Sequence, residues 1–117
     1  MTTVTLENVI LEATEAASSA AKKFFDEKLN GQDAYACGFA WVTIYDFQGK
    51  KIRANSKMGK ALEALGIKKS SYDRVLKVWN PSKMMVQNVD TLEAGAEAYA
   101  KVLQKYGFTA YAGSRLD

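Results

Sequence analysis

"GFAWVTIYD", Gly38 to Asp46, is the stretch on which the fold turns. Phe39, Trp41, Thr43 and Tyr45 alternate with Ala40, Val42 and Ile44, the two-residue period of a strand built from β-branched and aromatic side chains. Both sets are largely apolar, which predicts a central strand covered on each face rather than an edge strand.

Upstream, Leu6, Ile10, Ala13, Ala17, Ala20 and Phe24 recur at helical spacing and predict one long helix from Thr5 to Asn30. Thr5 can cap its start, and Asn30-Gly31 supplies a left-handed stop. Such a helix is about 38 Å long, against about 35 Å for the diameter of a domain this size. It therefore spans the body or overhangs it, and its alanine stripe allows a homodimer through the N-terminal helix.

Downstream, Asn55 or Ser56 can cap a short helix carrying Met58, Ala61, Leu62 and Leu65, closed by Gly66. Arg74–Trp79 reads as a second strand ended by Pro81, the only proline. Asp90 and Glu93 have capping-box spacing ahead of a helix with the stripe Leu92, Ala96, Tyr99, Leu103 and Tyr106, stopped by Gly107. Phe108–Gly113 reads as a last short strand. The order α-β-α-β-α-β predicts an α/β (or α+β) single layered domain over residues 1–117, with a long N-terminal helix (1–31), a core (36–117) and a small sheet. Parallel strands would need right-handed crossovers. A local alternative makes "WVTIYD-FQG-KKIRA" a hairpin, with Ile52 and Ala54 facing in and Lys51 and Arg53 facing out.

The 117 residues are 48% hydrophobic and 25% charged, as expected of one globular domain rather than a disordered chain. No apolar run reaches the length of a membrane span, and Met1-Thr2-Thr3 does not open like a signal peptide, so a cytoplasmic protein with no membrane partner is expected. The single cysteine, Cys37, reads as a small buried hydrophobe. With no histidine and one cysteine, a zinc site and a Ser/His or Cys/His pair are ruled out. We expect no enzyme, no catalytic residue, no metal and no cofactor.

Charge is distributed unevenly. Residues 1–46 carry a net −4, residues 47–83 a net +8 and residues 84–117 a net −1. A segregation this large points to an anionic partner, the alternative being a merely solvated lysine face. Lys50, Lys51, Arg53, Lys57 and Lys60 are the phosphate-neutralising candidates, and Gly49 lets the backbone turn closely beside them. A helix start at Asn55-Ser56 would add N–H donors. Tyr45 and Trp79 are the candidates for stacking on a base, and Arg115 for the rim of the sheet.

"QNVDTLEAGAEAYAKVLQKYGFTAYAGSRLD" (87–117), with "CGFAWVTI" (37–44) and "RANSKMGKALEALG" (53–66), resembles a family of small uncharacterised proteins encoded by tailed bacteriophages. The likeness covers roughly residues 36–117 and departs at the insertion-like "DFQGKK". It implies expression in an infected bacterial cytosol and assigns no functional residue. Three expectations follow. One is a non-catalytic binder of a phosphate-bearing nucleotide, sequestering a host-defence signal. The second is a nucleic-acid-binding accessory protein using the same basic patch. The third is an inhibitor docking on a host protein through the first helix.

Overall fold

The computed structural model describes residues 5–34 and 36–117; the start Met1–Thr3, considered above for a leader, lies outside the described residues. Among the described residues, three helices and four strands follow one another as α1 (Leu6–Lys28), β1 (Gly38–Tyr45), α2 (Lys57–Ala64), β2 (Lys68–Lys69), β3 (Leu76–Trp79), α3 (Val89–Lys105) and β4 (Thr109–Leu116). The strands form one sheet in the order β2-β3-β1-β4, and every neighbouring pair is antiparallel. The architecture is α+β, and its antiparallel sheet has no parallel crossovers. None of the described helices is long and apolar enough to cross a membrane.

The ends of α1 are set as the residues dictate. The Thr5 side chain accepts from the Asn8 amide, and Asn30 and Gly31 turn left-handed at φ 53° and 74°. The buried stripe is Val9, Ala13, Ala17 and Ala21, with Leu6 and Ile10 packed at its margin. These small residues let α1 lie close along α3, which in turn crosses β1 and β4. With 23 residues, α1 is about 35 Å long, within the 42 × 36 × 22 Å body, so no overhang is required.

Gly95 sits where α3 meets α1 and the 80–82 turn: a Cβ there would lie 2.8 Å from the Ser82 Cβ and 3.2 Å from the Ala17 carbonyl. Helix α3 starts two residues earlier than its apparent capping box. Asn88 is the cap, and its side chain accepts from the Thr91 amide and hydroxyl at 2.8 and 2.9 Å. Its amide group donates to the Ala34 carbonyl at 2.8 Å, and its backbone N–H donates to Asp33 at 3.0 Å. Glu93 is instead bonded to the Ser114 hydroxyl on β4. Leu92, Ala96, Tyr99 and Leu103 form the buried stripe of α3 as its spacing predicts.

Strand β1 departs from expectation on one face. Ala40, Val42 and Ile44 are buried under α3, whereas Phe39 is exposed and Trp41, Thr43 and Tyr45 are half-buried. Across the sheet, Trp79 (55% exposed) and Tyr111 (59%) share that outer side. The central strand is therefore covered by a helix on one face only, and on the other its aromatic residues are partly open to water. The proposed hairpin does not continue as a ladder. Beyond the Asp46–Lys50 turn the chain runs without strand pairing, with Ile52 buried and Lys51, Arg53 and Ala54 exposed. Cys37, expected inside, is exposed at the end of the sheet and its thiol donates to Gln87 Oε1 at 3.4 Å.

Candidate functional site

The chain leaves β1 at Asp46 and turns back at Gly49, whose φ of 78° is the left-handed conformation that glycine adopts without strain. One Asp46 carboxylate oxygen accepts from the Gln48 and Lys50 amides at 2.8 and 2.9 Å, which fixes the turn and the departure of Lys50. Entering β3 from the other direction, residues 70–75 form a second turn. In it the Ser70 amide donates to the Val75 carbonyl and the Arg74 amide to the Ser70 carbonyl, both at 2.9 Å. Arg74 is held at φ 58°, an unusual conformation for a residue with a side chain. The Lys51 ammonium group donates to the Asp73 carbonyl at 3.2 Å and ties the two turns together.

Because β1 and β3 are antiparallel neighbours, the exit of one lies beside the entry of the other. Between them is a hollow of about 750 Å³ lined by Asp46, Lys50, Lys51, Ile52, Arg53, Ser56, Met58, Lys69 and Arg74. Five of those nine residues are cationic and one is anionic. The carboxylate of Asp46 is committed to its own turn, and Asp73 nearby is bonded to Lys77 at 2.9 Å. The hydrogen bond from Lys77, then that from the Val75 amide, holds the Asp73 carboxyl below the usual carboxylate range. Asp73 therefore stays ionised and occupied by Lys77 at neutral pH. Among the described residues, Lys50, Arg53, Lys69 and Arg74 make no ion pair.

The ten anticipated site residues divide into three groups. Lys50, Lys51, Arg53 and Ser56 line the hollow. Asn55, Lys57 and Lys60 are exposed and lie outside its lining. Tyr45, Trp79 and Arg115 belong to the outer face of the sheet, with Arg115 opposite Phe39 at the end of β1 farthest from Asp46. The end of α2 is less open than a bare helix start. Ser56 Oγ accepts from the Gly59 amide at 3.0 Å and donates to the Arg53 carbonyl at 2.6 Å. A Cβ on Gly59 would collide with that same carbonyl, so the chain itself closes this helix end. Lys69 and Arg74 were not anticipated, although both belong to the basic middle of the chain; only the return of the second turn brings them to Lys50 and Arg53.

No family model, curated protein or solved structure matches the chain.

Proposed function

We propose that this protein is a non-catalytic binder of phosphate-bearing nucleotides, with the cationic hollow as its phosphate site. The observation that carries this reading is the gathering of Lys50, Arg53, Lys69 and Arg74 around one concavity, none of them in an ion pair among the described residues. Like charges held together repel, and an anion in their midst offsets that repulsion. Arg53 and Arg74 bring planar forks that match phosphate oxygens in pairs, while Lys50 and Lys69 act as mobile point charges. Ile52 and Met58 supply an apolar floor against which a sugar or base edge can rest. In the infected bacterial cytosol implied by the phage-protein resemblance, such a protein would withdraw nucleotides from host use.

Calorimetric titration with nucleosides, mononucleotides, cyclic dinucleotides and short single-stranded oligonucleotides tests the reading. Binding should require phosphate and strengthen as phosphates are added, and nucleosides with the same bases should give no heat. Equal response to nucleoside and nucleotide, or silence across the whole series, would contradict it.

A further inference from the structure

The outer face of the sheet has no role in the phosphate site, yet it is the least ordinary surface of the molecule. By register, Trp41 lies beside Trp79 and their rings are 5.1 Å apart at 45°. Further along β1, Tyr45 meets Tyr111 edge-on at 6.1 Å. Trp41 rests over Gly113 of β4, where a Cβ would come within 2.6 Å of the indole, so the glycine is what lets that ring lie down on the sheet. From Phe39 to Tyr45 this aromatic stripe runs about 20 Å.

Charge decides what covers it. The outward positions of all four strands include Lys68, Lys77 and Arg115 and not one carboxylate, and of the three cations only Lys77 is ion-paired among the described residues, with Asp73 of the turn ahead of β3. The Lys77 ammonium stands 6.0 Å from the Trp41 ring centre, and the Arg115 guanidinium 5.6 Å from that of Phe39. A second copy laid face to face would bring no carboxylate from its strands to Lys68 or Arg115. A polyanion with flat apolar rings fits both features at once. The stripe ends at the same edge of the molecule as the hollow: Tyr45 is followed by Asp46 on its lining, and Asp73, which holds Lys77 on the face, accepts from Lys51 through its carbonyl.

We infer that the outer sheet face is a base-stacking platform and that the ligand is a single-stranded nucleic acid, its phosphates continuing into the hollow. This rests on the phosphate-binding reading above. Four-stranded sheets that present aromatic rings stack two or three bases, and the Trp41/Trp79 and Tyr45/Tyr111 pairs make two such stations. Sequence preference is weak on such a surface, because every base has a π face.

The chain's two tryptophans both lie on this face, so their fluorescence reports on it directly. A single strand of about ten nucleotides should bind and quench the emission, whereas an abasic strand of equal length should bind more weakly and leave it unchanged. Trp79→Ala should lower affinity for the normal strand by about tenfold and leave the abasic strand unaffected. Gly113→Val, which lifts the Trp41 ring, should do the same in a chain that keeps both tryptophans. Binding of both strands without quenching overturns the platform while sparing the phosphate site. Binding of neither strand by a protein that still binds mononucleotides overturns the platform alone, and silence toward mononucleotides as well overturns both readings. A dimer that Trp79→Ala dissociates would show instead that a second copy covers the face, and would also overturn the platform.

Discussion

Replacing Lys50 and Arg53 together by glutamate should lower the affinity for a phosphate-bearing nucleotide by about a hundredfold or more. Each cation within about 4 Å of a phosphate contributes on the order of 1 kcal/mol in water-like surroundings and more in a concave one. Reversing its sign replaces that attraction by a comparable repulsion, so two reversals give at least about 3 kcal/mol, or two decades in affinity. The fold should survive, because both side chains are exposed and neither makes an ion pair among the described residues. The same double reversal at Lys57 and Lys60, which are equally charged and lie outside the lining of the hollow, should weaken binding far less. Titration of the two variants side by side makes the check. Equal losses from both pairs would show that net charge, rather than the hollow, attracts the ligand.

The second large effect concerns the fold. Asn88→Ala should destabilise the protein by about 2 to 3 kcal/mol, since it removes a helix cap worth about 1 kcal/mol, strands the buried Thr91 hydroxyl at about 1 kcal/mol or more, and frees the half-buried Ala34 carbonyl at a smaller cost. Asn88 and Thr91 are 1% and 0% exposed, so water cannot replace the bonds between them. Asn88→Asp should be nearly as harmful. It keeps an acceptor for Thr91 but turns the donor toward Ala34 into an oxygen facing an oxygen. Urea denaturation measures both, as a fall in midpoint with an unchanged slope. A loss below about 1 kcal/mol in the alanine variant would show that the link between α3 and residues 33–34 is not holding the helix start.

Much of this structure could be read in the chain. The limits of α1 follow from Thr5 and Asn30-Gly31, the start of α2 from Ser56, and the stripe of α3 from Leu92 to Leu103. These are local signals, each decided within a few residues. The choice between Asn88 and Asp90 as cap was not local. Either residue type can cap, and what selects Asn88 is Ala34 and Asp33, more than fifty positions away. Strand direction was hidden for the same reason, because alternation in β1 says nothing about what lies beside it.

The outer face misled for a more instructive reason. Phe39, Trp41 and Tyr45 are residues that proteins normally cover, so their alternation with Ala40, Val42 and Ile44 read as a strand buried twice. No element of the described chain packs over them as α3 does over Ala40, Val42 and Ile44, so Phe39 is exposed and Trp41 and Tyr45 are only half-buried. In the hollow, Lys50, Lys51 and Arg53 were legible as neighbours in sequence, whereas Lys69 and Arg74 needed the second turn to bring them round.

The central claim is that the unpaired cations of the hollow gather the phosphates of a nucleotide ligand, and the salt dependence of binding tests it most directly. For a single strand of about ten nucleotides, engagement of Lys50, Arg53, Lys69 and Arg74 predicts that log affinity falls against log salt with a slope of about −3. The Lys50→Glu/Arg53→Glu variant should lose most of that slope. A wild-type affinity that stays flat from low to physiological salt would contradict the account.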